Sequence, residues 1–174
     1  MPPAVTVNHL LIEGEALFQR NSLCFGHGTS DAWDEAVFLL AHALKLGPIP
    51  DRSELDLAVD NGAASAVRAL FQRRIEERIP AAYITEQAWF CGLPMFVDQR
   101  VLVPRSPIAQ LIAERFYPWI ISPPSEILDL CTGSGCIGIA CAYAFPDARV
   151  LLTDICDQAL AVARINIQQH QCHQ

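Results

Sequence analysis

Apolar residues recur at helical spacing through the first part of the chain. Val7, Leu10, Leu11, Leu17 and Phe18 keep that rhythm over residues 5–20. Cys24-Phe25-Gly26-His27-Gly28-Thr29 reads as a loop, after which Ser30 or Asp31 caps a helix running to Leu46. Ala36, Val37, Leu40 and Leu44 form its apolar stripe, and Gly47-Pro48 ends it. Asp51 with Glu54 three residues on resembles a capping box, which predicts a short third helix stopped by Asn61-Gly62. The next helix is expected over 63–78, with Val67, Leu70, Phe71 and Ile75 on one face and Pro80 closing it. These elements predict an N-terminal helical domain over residues 1–84.

The period then shortens. The runs 87–91 and 95–97 flank Gly92-Leu93-Pro94 and predict a β-hairpin whose second arm continues to Val101-Leu102-Val103. Pro107 opens a helix over 107–116, and Ser122-Pro123-Pro124-Ser125 is a linker, so 85–124 reads as hairpin and linker. From 125 to 174 the order is strand, glycine loop, helix, strand, helix. The strands are Ile127–Leu130 and Val150–Thr153, and the helices span 136–145 and 157–169. Such alternation predicts a parallel, doubly wound sheet and an α/β fold.

Composition narrows the function classes. Hydrophobic residues make up 52% and charged residues 18% of the 174, which suits a packed core. No apolar run is long enough to span a bilayer, and Met1-Pro2-Pro3 has no basic leader, so a cytoplasmic location is expected. A net charge of −7 argues against direct nucleic-acid binding. The Arg68, Arg73, Arg74, Arg78 cluster, interrupted by Glu76 and Glu77, reads as a solvated helix face. The seven cysteines form no Cys-x-x-Cys pair and are expected to be reduced and mostly buried. The tail His170, Cys172, His173 is read as a frayed helix end rather than a metal site.

The chemistry is concentrated in Asp129-Leu130-Cys131-Thr132-Gly133-Ser134-Gly135-Cys136-Ile137-Gly138. It places Gly-x-Gly-x-x-Gly between a strand and a helix, the setting a nucleotide-binding unit requires. Asp154, nineteen residues after Gly135, ends the next strand, where a carboxylate can accept hydrogen bonds from both hydroxyls of a ribose. A dinucleotide and S-adenosyl-L-methionine both fit this pattern. Asp129 favours the latter: a buried carboxylate needs partners, which an ammonium group and loop amides supply, whereas phosphates would repel it. The bland alternative is that Asp129 only ties down loop amides.

Several motifs together resemble a known family. The loop 129–135 is similar to the first motif of class I methyltransferases. Val101–Ile108, with Arg105-Ser106-Pro107-Ile108, resembles the protein-(glutamine) methyltransferases of the HemK/Prm group, in the PrmB branch that methylates large-subunit ribosomal protein 3. Phe25–Thr29, Ala32–Ala36, Glu77–Tyr83 and Ala88–Gly92 are similar to that branch too. The resemblance implies a fold with an N-terminal helical domain, a β-hairpin linker and the first half of a class I (Rossmann-like) methyltransferase domain. It implies S-adenosyl-L-methionine as cofactor, bound by Asp129, Cys131, Thr132, Gly133, Ser134, Gly135 and Asp154, and a ribosomal protein as partner, recognised with help from the helical domain. Cys131 stands where many class I enzymes have glycine, so its backbone is expected to avoid positive φ. The family orients its substrate amide with an Asn-Pro-Pro-Tyr loop, whereas Asn8, Asn21, Asn61 and Asn166 all lack a following proline. The expectation is therefore a truncated methyltransferase, inactive alone, with no catalytic residue among those present. The competing readings are a non-catalytic ribosomal-protein-binding module and a nicotinamide oxidoreductase.

Overall fold

The structure, a computed structural model, describes residues 4–172. The start at Met1-Pro2-Pro3 and the tail residue His173 lie outside the described residues. The chain divides into two compact units, Met1–Thr85 and Glu86–Gln174.

The first unit is helical. Helix α1 (Val7–Arg20) begins with a reciprocal cap, in which Thr6 Oγ1 accepts from His9 N and His9 Nδ1 accepts from Thr6 N, both at 3.3 Å. Helix α2 (Ala32–Leu44) is capped by Asp31, which accepts from Asp34 N at 2.9 Å. It ends before Leu46, with Lys45 rather than a glycine in the left-handed conformation. Helix α3 (Asn61–Glu77) and the short α4 (Ala81–Thr85) complete the unit. Leu10, Leu11, Phe18, Leu39, Leu40, Val67 and Phe71 form its core, where the Phe18 and Phe71 rings meet edge to face at 5.3 Å.

Two sequence expectations fail here. Asp51 and Glu54 do exchange capping-box bonds, but no helix follows. The segment forms two successive turns instead, with Glu54 N donating to Asp51 O and Leu57 N to Glu54 O, and its carbonyls serve α1: Asn8 N donates to Leu55 O and Val7 N to Leu57 O, and Val59 N donates back to Val5 O. Asn61-Gly62 then starts a helix instead of stopping one, since Asp60 Oδ1 accepts from Gly62 N and Ala63 N. The second failure is confined to one residue of the arginine cluster: Arg68, Arg73 and Arg78 are exposed as expected, and Arg74 is not. Arg74 is 3% exposed and lies 3.1 Å from the equally buried Glu35 carboxylate. Arg74 Nη2 donates to Cys24 O at 3.0 Å, and Glu35 Oε1 accepts from Ala81 N at 3.4 Å. The contact between Arg74 Nε and Glu35 Oε1 lacks the alignment of a hydrogen bond, and Glu35 Oε2 also has no hydrogen-bond partner. The pair nonetheless ties α2, α3, α4 and the 24–29 loop together.

The second unit is α/β. Strands β1 (Gln87–Phe90) and β2 (Leu93–Phe96) pair antiparallel around Cys91-Gly92, both at positive φ. The second arm stops at Phe96. Asp98 turns the chain by accepting from Arg100 N and Val101 N, so Val101 and Val103 are buried in a loop rather than a strand. Helix α5 (Ile108–Ala113) is shorter than its expected 107–116. Arg115 and Phe116 adopt positive φ, which reverses the chain and stacks Phe116 on Phe145. Strands β3 (Glu126–Leu130) and β4 (Arg149–Thr153) are parallel, with helices α6 (Cys136–Ala144) and α7 (Asp157–His170) following them. Ile127 and Asp129 are half-buried, whereas Leu128, Leu130 and Leu151 project to the exposed face.

The cysteines are free, as expected, but most are not buried. Cys136 and Cys141 lie in the core of α6, and burial pushes each thiol up to about 11. Cys24, Cys91, Cys131 and Cys156 are exposed, lying in loops and turns or, for Cys156, at the start of α7. Among the described residues no group of His, Cys, Asp and Glu could hold a metal, and no helix is long and apolar enough to cross a membrane. His170 instead meets Tyr143 Oη through Nδ1 at 3.2 Å and Pro94 O through Nε2 at 2.8 Å.

Candidate functional site

The parallel register pairs Leu130 with Thr153, so the glycine loop and Asp154 leave the sheet at the same carboxyl ends. Thr132 N donates to Thr153 O at 2.9 Å, extending the ladder past β3. Gly133 N then donates to Asp154 Oδ2 at 2.9 Å, and Cys156 N donates to Asp154 Oδ1 at 2.9 Å. These N–H groups, Cys156 first and Gly133 second, hold the Asp154 carboxyl below its usual range. Ile155, beside it, is fully exposed.

Asp129 takes a different position. Its Oδ2 accepts from Thr132 Oγ1 at 2.6 Å and from Gly138 N at 3.0 Å, bracing the loop against the first turn of α6. It is half-buried, not fully enclosed as the sequence suggested. The donors it uses are a loop hydroxyl and a helix amide.

Cys131 corrects another expectation. Its φ is +58°, the left-handed region that non-glycine residues occupy at a cost of about 1–2 kcal/mol. The chain must leave β3 abruptly for Thr132 to reach Thr153 and for Gly133 to reach Asp154, and this turn imposes the strain. Gly133 is also left-handed, and a Cβ built on it would meet nothing within 4 Å, so the loop presents open backbone there. Gly135 is the reverse case: at φ +82° its missing Cβ would lie 3.1 Å from Leu152 and 3.3 Å from Ala163. Ser134 is buried, at 2% exposure.

The sequence-predicted residues Thr132, Gly133 and Asp154 thus come together, with Asp129 beneath them and the exposed Cys131 at the edge. Sequence reasoning missed Asn166. It is fully buried on α7, where its side chain reaches both Phe96 on β2 and Ser134 in the loop. A signal was present: Ala159, Val162, Ala163 and Asn166 share one helical stripe, in which an amide is out of place unless it has buried partners.

Comparison with known proteins adds to this geometry. Residues 109–174 match the family described as the methyltransferase small domain. Over 153 residues the chain is 44% identical to the ribosomal protein uL3 glutamine methyltransferase of Francisella tularensis, covering 87% of this chain and 49% of that protein. It is 46% identical over 150 residues to the Bordetella pertussis protein of the same name, covering 85% of this chain and 50% of that one. The chain is similar in sequence to both of these protein-glutamine methyltransferases. It spans about half the length of the curated relatives it matches. The small-domain match starts at Ala109 and takes in the glycine loop and Asp154, whereas the likeness to the uL3 enzymes also covers most of the helical unit.

Proposed function

We propose that residues 131–135 and Asp154 hold S-adenosyl-L-methionine, and that these residues are part of a methyltransferase acting on a glutamine side-chain amide of ribosomal protein uL3, of which they supply the cofactor-binding and not the catalytic groups. The observation that carries the reading is the Gly133–Asp154 hydrogen bond, which sets loop amides and a ribose-type carboxylate side by side. Each Asp154 oxygen accepts one backbone N–H and keeps a further lone pair for a ribose hydroxyl. The open face at Gly133 gives the methionyl end room to approach, and Ile155 offers an apolar surface beside the ribose. Asp129 acts from beneath as a brace. When bound, the cofactor supplies an electrophilic methyl group. Strands β3 and β4 are, in this reading, two strands of a class I sheet, and the helical unit contributes to recognising the protein substrate in the cytoplasm.

Residues 1–174 contain no Asn-Pro step, so none of them matches the loop that orients the substrate amide in the family. A polypeptide of these residues alone therefore binds cofactor without transferring its methyl group. Calorimetry with S-adenosylhomocysteine and with NAD tests the cofactor assignment. Heat of binding with the former alone is expected, and binding of NAD alone would overturn the assignment.

A further inference from the structure

Asn166 makes three hydrogen bonds from a fully buried position. Its Oδ1 accepts from Phe96 N at 2.7 Å, and its Nδ2 donates to Phe96 O at 3.0 Å and to Ser134 O at 2.8 Å. The amide orientation follows from its partners, since turning it over would set Oδ1 against two carbonyl oxygens. The pocket demands one acceptor and two donors at this spacing. Aspartate supplies no donor at neutral pH, and leucine supplies neither.

The Ser134 carbonyl is one end of the Ser134–Gly135 peptide. The other end, Gly135 N–H, donates to Thr132 O at 2.9 Å. Asn166 therefore holds one side of that peptide plane while Thr132 holds the other. Gly135, at φ +82°, has no side chain to resist a rotation of this plane, and α6 starts immediately after it without a side-chain cap. We propose that Asn166 is a positioning residue: by fixing the Ser134–Gly135 peptide against the edge of the hairpin, it sets the shape in which the 133–135 loop receives the cofactor. The affinity part of this proposal rests on the cofactor reading above. The pinning of the loop does not.

The test compares Asn166→Ala and the volume-conserving Asn166→Leu with Val162→Ala, a core truncation one turn earlier on the same helix. The full chain is used, at a temperature where circular dichroism shows all variants folded. Amide hydrogen exchange should accelerate about tenfold or more at Gly135 and Phe96 in both Asn166 variants beyond any global change. Val162→Ala should shift exchange throughout the unit without singling out Gly135. S-adenosylhomocysteine affinity should fall about tenfold in the Asn166 variants, and Leu should not rescue it although it restores packing. Gly135 exchange unchanged in the Asn166 variants, or equally faster in Val162→Ala, would overturn the proposal. Absent binding in the unsubstituted chain would remove the cofactor reading, while the exchange data would still decide the pinning. If the Asn166 variants do not fold, the unsubstituted chain decides: its Asn166 side-chain amide protons should exchange about a hundredfold slower than a free amide, and free-amide rates would refute the role.

Discussion

Gly133 N–H donates to Asp154 Oδ2 at 2.9 Å across 21 residues of sequence, so the tip of the glycine loop is anchored by the carboxylate that ends the neighbouring strand. Removing that carboxylate removes both the anchor and the expected ribose acceptor. Asp154→Ala should weaken S-adenosylhomocysteine binding by about tenfold or more. Titration calorimetry on wild type and variant checks this, and equal affinities would place the ribose elsewhere.

The same bonds predict a pH dependence. Cys156 N–H and Gly133 N–H hold the folded Asp154 carboxyl below its ordinary 3.8. A carboxyl depressed on folding stabilises the fold where the unfolded chain is already ionised, above about pH 4. The contribution is whole near neutrality and is lost as pH falls through the folded value. Wild type should therefore exceed Asp154→Asn in urea unfolding at about pH 6, and the difference should shrink towards about pH 3. A difference that grows on acidification would reverse the sign and refute the linkage.

Cys131 is strained and exposed, with φ +58°. Glycine at this position relieves the strain but adds freedom to the unfolded chain. The net expectation for Cys131→Gly is a gain of about 0.5–1 kcal/mol in stability. Chemical denaturation measures it, and a loss of stability would show that the thiol makes a favourable contact that outweighs its backbone.

Glu35 and Arg74 are each 3% exposed and lie 3.1 Å apart. Truncating one leaves the other charge buried alone, so Glu35→Ala should cost about 3–5 kcal/mol. Replacing both with leucine should cost less, because no charge is then left buried alone, although Cys24 O and Ala81 N lose these partners. A double-mutant cycle in urea distinguishes these outcomes. A cost under about 1 kcal/mol for Glu35→Ala would mean that water enters the site freely.

Residues 1–174 by themselves should not methylate uL3. Without a group to orient the amide, the reaction forfeits an effective-molarity term of roughly 7–11 kcal/mol. The measurement is radiolabelled methyl transfer to unmodified uL3. Label above a no-enzyme control would reveal catalytic groups among these residues.

The sequence by itself determined whatever depends on neighbours within a few positions. Apolar spacing marked α1, α2, α6, α7 and the two parallel strands, Asp31 marked a cap, and the glycines between β3 and α6 marked the loop that carries the candidate site. Asp154 was legible because its place depends only on strand order and register. Tertiary structure alone decided the rest. Asp51 and Glu54 formed their local bonds, yet the segment closed into turns whose carbonyls bond to the start of α1, and Asn61 went to the next helix. Arg74 stood in a charged cluster but found Cys24 O 50 residues away, and Asn166 found Phe96 across 70. Cys131 took a backbone conformation its side chain disfavours because bonds on both sides of it fixed the turn. Local period and capping chemistry act through the nearest few residues and can be read in order. A buried polar group owes its position to partners brought near by the packed chain, and their identity is set only when the fold has formed.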